Sequence, residues 1–329
     1  MNKIFDNTQV AFSLKSDTEL KRAYFLFKMI GSSSFVKIGT SVTNLALKAH
    51  LPVEGLIRAT VFDHFCGGIN EVDCLKVVDK MYTKGVSSVL DYSVEGKEEE
   101  SQFDAALAMT LKTIEFAKER EAIPFAVFKP TGFGRIDLYE KVGEKAQLSV
   151  AEQDEWQRII TRFDTACKAA FEKDVLLLID AEESWMQDAA DALVTDMMRK
   201  YNQQKAIVFN TLQMYRWDRL DYLKQLHEQA KMEGFHIGMK LVRGAYMEKE
   251  NERAAIKGIK SPICISKEAT DINYDAAVLY MVEHLDHMAI FAGTHNEESS
   301  YALMRLLDEK GISKDDKRIF FGQLLGMSD

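Results

Sequence analysis

The sequence predicts an α/β fold of the (β/α)8 barrel type, entered through an N-terminal helical arm. Three observations carry this prediction. Seven short apolar, β-branched runs recur from residue 85 onward, amphipathic stretches fill the gaps between them, and polar or charged residues gather just past their ends. Continuous apolar runs that alternate with helices describe a parallel sheet covered on both faces.

The arm comes first. Ser16 and Glu19 have the spacing of a capping box, and Leu20, Ala23, Tyr24, Phe27 and Ile30 follow as a helical stripe. "GSSS" from Gly31 breaks that pattern, which then resumes. The expected division is an arm over residues 1–80 and a barrel over 81–329. The barrel runs are "GVSSVLD" from Gly85, "PFAVFK" from Pro124, "DVLLLID" from Asp174, "KAIVFN" from Lys205, "IGMKLV" from Ile237, "MAIFAGT" from Met288 and "RIFFGQ" from Arg318. Their starts lie 30 to 51 residues apart, room for a helix each, such as "QFDAALAMTLKTIEFAKERE" from Gln102. No Gly-x-Gly-x-x-Gly follows the first run, which argues against an open dinucleotide-binding sheet, and "GFGR" at Gly132 is only a Gly-rich turn. The chain ends at Asp329, before an eighth strand, so the barrel is expected to be incomplete at its C-terminus.

Composition narrows the function. The 329 residues carry a net charge of −9 and no basic run interleaved with aromatics, which disfavours nucleic acid as a partner. Cys66, Cys74, Cys167 and Cys264 form no CxxC pair and read as reduced thiols of a cytosolic protein. The first residues lack the apolar core of a signal peptide, and no segment approaches the ~20 apolar residues of a spanning helix. There is no HxH and no HExxH, and His284 and His287 read as exposed helix residues, so no metal is expected.

In a barrel, chemistry gathers at the carboxyl ends of the strands. Those ends present Asp91 and Glu95, then Lys129, Asp180 with Glu182 and Glu183, and Gln213. Lys240, Arg243 and Tyr246 follow, then Thr294, His295 and Asn296, and finally Gln323. Turn chemistry alone accounts for Asp91 or Asn210. It does not account for Lys129 or Lys240, because a lysine entering an apolar barrel mouth needs a partner, and Asp180 is the candidate. Residue chemistry leaves open a Schiff-base lysine aldolase or lyase using Lys129 or Lys240, and also a non-catalytic barrel that binds a partner.

Five motifs occur in order: "HFCGG" (64–68), "LLIDAEES" (177–184), "FNTLQMY" (209–215), "KLVRGAY" (240–246) and "GTHNEES" (293–299), with "QLLGMSD" at the end. Together they resemble the FAD-dependent proline dehydrogenases, including the first domain of bifunctional proline-utilisation proteins. The resemblance implies a distorted (β/α)8 barrel with FAD across the strand ends, oxidising L-proline to Δ1-pyrroline-5-carboxylate by hydride transfer to flavin N5. It implies that Lys240 stands where the family often has an arginine at N5, with Asp180 orienting that cation. Ala181, Gln213, Arg243, Gly244, Ala245, Thr294 and His295 fall at cofactor positions. Lys129, Tyr246 and Leu325 fall at the proline pocket, with Glu95 as an acidic residue paired over the substrate. A quinone or other electron acceptor is implied, and with it peripheral contact at the inner face of a membrane. On residue chemistry alone Tyr246 and Leu325 also read as core, Glu95 as complement to a helix dipole and His295 as a turn residue. Two departures stand out. Lysine replaces arginine at 240, which loses the bidentate fork. The family's final strand and helix, with a Tyr and an Arg-Arg pair on the proline carboxylate, have no counterpart before Asp329.

Overall fold

A computed structural model describes residues 4–31, 61–92 and 98–327, with three single positions between 32 and 60. It divides into two compact units, Met1–Val86 with Gln323–Asp329, and Ser87–Gly322.

In the first unit α1 (Asp17–Ile30) carries the capping box that its sequence predicts. Glu19 accepts from the Ser16 backbone at 2.7 Å, and Ser16 Oγ accepts from the Glu19 backbone at 3.3 Å. The helix stops where "GSSS" begins. Its buried residue is Leu26, however, while Tyr24, Phe27 and Ile30 of the predicted stripe are exposed. Apolar residues occur all round this helix, with Phe25 and Met29 also exposed, so their spacing does not select a buried face. The helical pattern read beyond Gly31 lies outside the described residues. A second helix, α2 (Glu71–Tyr82), starts at Asn70, whose side chain accepts from the Val72 and Asp73 backbones. His64 Nε2 lies 3.0 Å from the Gly326 carbonyl and packs edge-on against Phe27 and Phe65. A side chain at Gly326 would meet the His64 carbonyl at 2.3 Å.

The second unit alternates strands with helices, set singly or in pairs. It begins with β1 (Val89–Leu90), α3 (Glu100–Lys118) and β2 (Phe125–Phe128), then α4 (Ile136–Gly143), α5 (Val150–Lys173) and β3 (Leu176–Ile179). Next come α6 (Ser184–Tyr201), β4 (Val208–Gln213), α7 (Arg219–Glu233) and β5 (Ile237–Val242). It closes with α8 (Met247–Lys257), α9 (Lys267–Glu283), β6 (Met288–Gly293), α10 (Glu297–Glu309) and β7 (Ile319–Gly322). Every predicted apolar run overlaps one strand, and β4 continues three residues past its run, to Gln213. The two longest gaps between runs each hold a pair of helices, α4 with α5 and α8 with α9.

All seven strands are parallel and pair in chain order, β1 to β7. The sheet curls on itself. Phe125 of β2 meets Phe320 of β7 ring to ring at 4.7 Å, although four strands separate them in the sheet, and it also meets Phe209 at 5.6 Å and Phe291 at 5.2 Å. These aromatics fill the interior with Val127, Leu178 and Ala289. Glycines make the room: a Cβ at Gly238 would lie 2.6 Å from the Phe209 ring, and one at Gly322 would lie 2.2 Å from Phe291. The fold class is therefore the barrel type that the strand rhythm predicts, a curled seven-stranded parallel sheet with helices outside.

Candidate active site

Strand parity assembles the site. Side chains alternate between the two faces of a strand, so a residue two positions beyond an interior one points inward again. Val127 and Leu178 belong to the interior cluster; two residues on stand Lys129 and Asp180. Gly238 abuts the interior Phe209 ring; two residues on stands Lys240. All three polar groups therefore emerge inside the barrel at the carboxyl end of the sheet.

They meet there. Lys240 Nζ donates to Asp180 Oδ1 at 2.6 Å, and Lys129 Nζ lies 3.6 Å from Asp180 Oδ2. One carboxylate thus serves two ammonium groups, each on its own oxygen, and all three side chains are less than one-fifth exposed. Burial works against the charge of Lys129, but Asp180, Tyr246, Glu182 and Asp91 outweigh it and hold its pKa above the ordinary lysine value. Lys129 is a fixed cation. A Schiff-base lysine needs the opposite, a depressed pKa that frees the amine.

Glu182 supports this cluster from below. Its carboxylate accepts from the Thr131 backbone at 2.9 Å and from the Thr131 hydroxyl at 2.6 Å, which ties the turn after Lys129 to the turn after Asp180. Its backbone N–H donates to Gln187 Oε1 and its carbonyl accepts from Gln213 Nε2. Burial pushes its carboxyl up to about 7 from the usual 4.5, against the Thr131 hydrogen bonds and Lys129. The folded protein therefore binds a proton that the unfolded chain releases between these values, so stability falls as pH rises through that window. The span corresponds to about 3 kcal/mol. Glu182→Gln, neutral at every pH, is expected to gain thermal stability relative to the parent by roughly 5 °C or more between pH 5 and pH 8. A Tm difference that does not change with pH contradicts this.

The remaining expected cofactor residues form a second group along β4, β5 and β6. Arg243 donates to Asp271 at 2.7 Å, to Thr294 Oγ1 at 2.7 Å and to Ser299 Oγ at 3.0 Å, and its guanidinium stacks 4.6 Å from the Tyr274 ring. Those partners come from α9, α10 and the end of β6, so the structure holds Arg243 there and not against Asp180. Gln213 Oε1 accepts from the Ala245 backbone at 3.4 Å, so Gln213 joins the turns after β3 and β5. Ala181 is buried between Asp180 and Glu182, and His295 is half-buried in the turn after β6. Gly244 sits at φ +134°, and a Cβ there would lie 2.5 Å from the Tyr215 ring. The close approach that this glycine permits is to Tyr215.

Tyr246 is the residue before α8; it is half-buried, and it is among the groups that hold the Lys129 pKa up. Leu325 belongs to the first unit, half-buried next to Gly326. Glu95 lies outside the described residues. Among the described residues no group of three or more His, Cys, Asp or Glu side chains is arranged to hold a metal, and the four cysteines are free. Thr131, Asp271 and Ser299 were not expected. Thr131 had a signal, standing two residues past Lys129, and Ser299 closes the motif "GTHNEES"; Asp271, on an outer helix, had none.

The family model for proline dehydrogenase matches residues 74–329. The carbapenem antibiotics biosynthesis protein CarD of Pectobacterium carotovorum subsp. carotovorum is 36% identical over 277 residues, which span 84% of this chain and 71% of that protein. Mitochondrial proline dehydrogenase 1 of Homo sapiens is 40% identical over 183 residues, 54% of this chain and 30% of the human protein. Among solved structures, proline utilization A from Bdellovibrio bacteriovorus, inactivated by N-propargylglycine, superposes with a TM-score of 0.69 at 18% identity. That match covers 99% of this chain and 33% of the other, and it shows the shared barrel fold. The chain thus spans about a third or less of the human and Bdellovibrio proteins. With a family model spanning most of its length and a 36% identical relative covered over more than two thirds, the chain belongs to the proline dehydrogenase family.

Proposed function

We propose that this chain oxidises L-proline to Δ1-pyrroline-5-carboxylate with FAD as its cofactor. The observation that carries the reading is the Lys129–Asp180–Lys240 cluster inside the barrel mouth. Family membership supplies proline as the substrate class.

The donor set suits a flavin dinucleotide. Gln213, Lys240, Arg243 and Thr294 stand on adjacent parallel strands, β4 to β6, or at their ends, with cations at two levels. Bound FAD supplies the two-electron acceptor for the hydride that leaves the proline ring carbon next to nitrogen. Lys240, steadied by Asp180, is the cation at flavin N5, where fixed positive charge favours acceptance of electrons. Arg243, Gly244, Ala245, Gln213, Ala181, Thr294 and His295 hold the rest of the cofactor. Lys129, with its charge secured, attracts the substrate carboxylate and Tyr246 packs beside the ring; Leu325 and Glu95 are the further substrate residues that the resemblance implies. The arm over residues 1–80 and the barrel from 81 onward are the proposed domains. Electrons pass on to a quinone or another acceptor, met by peripheral contact from the cytoplasmic side of a membrane. No helix among the described residues is long and apolar enough to cross one.

The test is product trapping. Incubation with L-proline and an artificial acceptor is expected to yield a cyclic imine that forms a coloured adduct with o-aminobenzaldehyde. Borohydride added during turnover is expected to leave Lys129 and Lys240 unmodified in a peptide mass map. A reduced adduct on either lysine, with no imine product, would move the reading to a Schiff-base lyase.

A further inference from the structure

Helix α8 is held to the barrel in an unusual way. Only Glu250 and Ala254 of its eleven residues are buried, while Met247 and Ile256 are 53% and 79% exposed. A helix this short is not stable alone in water, and this one buries almost no apolar surface to compensate. Polar contacts hold it instead. Glu250, 2% exposed, accepts from the Ser184 backbone and from the Ser184 hydroxyl, each at 2.6 Å. Ser184 is the first residue of α6. The carboxylate therefore also meets the positive end of that helix, whose preceding residue, Glu183, makes no side-chain cap.

Other contacts from α8 run the same way. Lys249 Nζ pairs with Glu183 at 3.0 Å, the Arg253 guanidinium stacks 4.3 Å from Trp185, and Arg253 and Lys257 pair with Glu140 of α4. So the helix that begins after Tyr246, at the end of β5, reaches over to the helix that begins four residues after Asp180. β4 lies between those strands.

We propose that Glu250 is a positioning residue for the barrel-mouth site, tying α8, and with it Tyr246, through Ser184 to the start of α6 four residues past Asp180. This rests on the reading of that cluster as the proline site. Glu250 touches none of the three charged groups and acts through Tyr246 and Ser184. Small misplacement of a binding residue costs up to about a hundredfold in rate, so the effect is large enough to measure.

The experiment compares Glu250→Ala, Glu250→Gln and Ser149→Ala in the purified chain by two readouts. Ser149 caps α5 with the same kind of bond and has no part in the mouth. In hydrogen–deuterium exchange, Glu250→Ala is expected to lower protection about tenfold or more in both 244–257 and 184–190, while Ser149→Ala leaves both segments as they were. In turnover, Glu250→Ala is expected to raise the KM for L-proline about tenfold with a smaller change in kcat. Glu250→Gln, which keeps an acceptor for the Ser184 backbone, recovers most of that loss. Exchange that rises in 244–257 alone, or a KM no higher than that of Ser149→Ala, would overturn the proposal. Should Glu250→Ala not fold, Ser184→Ala removes one of the two bonds, and the same paired exchange is read at reduced size. A parent protein that does not oxidise proline at all sinks the functional reading, and the exchange data still decide the tie between the helices.

Discussion

Replacing Asp180 with alanine is expected to lower kcat/KM for L-proline by about a thousandfold while the barrel remains folded. The carboxylate holds two ammonium groups in place from its two oxygens. Without it Lys240 loses its 2.6 Å partner, and Lys129 loses the largest of the charges that hold its pKa up. The two ammonium groups then lose the carboxylate they share. Removing a single preorganised electrostatic group costs about 10²–10³ in rate, and here one deletion disorders two. Asp180→Asn keeps the shape and the acceptor oxygen and is expected to lose less, about tenfold to a hundredfold. Steady-state kinetics with matched circular dichroism spectra check both. An alanine variant within tenfold of the parent contradicts the role assigned to the cluster.

The second large effect concerns stability. Arg219 and Asp191 form a buried ion pair at 2.8 Å, 7% and 6% exposed, and Asp191 also accepts from Gln187 and Asn210. Arg219→Leu is expected to cost about 3–5 kcal/mol, because breaking such a pair leaves a charge buried. That corresponds to a fall in Tm of roughly 10 °C. Burial already raises the Asp191 pKa, and Arg219 opposes it. Removing Arg219 raises the folded value further above the unfolded one, so the deficit should grow as pH rises from 5 to 8. Thermal melts at both pH values measure this, and a deficit below about 1 kcal/mol, equal at both, contradicts it. Gln187 carries the same network to the Glu182 backbone, so loosening it is expected to reach the mouth as well.

Much of this molecule was legible in its residues, for identifiable reasons. The inner strands β2 to β6 stood out because they are mostly buried on both faces, so apolar residues dominate their runs, whereas β1 and β7 are only partly buried. Asp180 was legible as the partner of the two lysines because a cation closing an apolar strand requires a counter-charge nearby. Other features depend on contacts that chain spacing does not encode. The guanidinium of Arg243 is held by Asp271 and Ser299 from two outer helices, and nothing near Arg243 in the chain announces either. Gly244 fell at an expected cofactor position, but only the fold shows its φ of +134° and the Tyr215 ring packed beside it. In α1 the capping box marked the helix start correctly, but apolar residues all round the helix hid which face is buried. Glu182 lies between these cases. It was visible at a strand end, yet only the fold shows that its carboxylate clamps Thr131.

The most direct measurement is the visible spectrum of the purified chain, reconstituted with FAD and kept anaerobic, before and after addition of L-proline. The account predicts oxidised-flavin absorption that bleaches when proline is added and returns when an electron acceptor follows. A folded protein that retains no flavin, or a flavin spectrum that proline leaves unchanged, would contradict it.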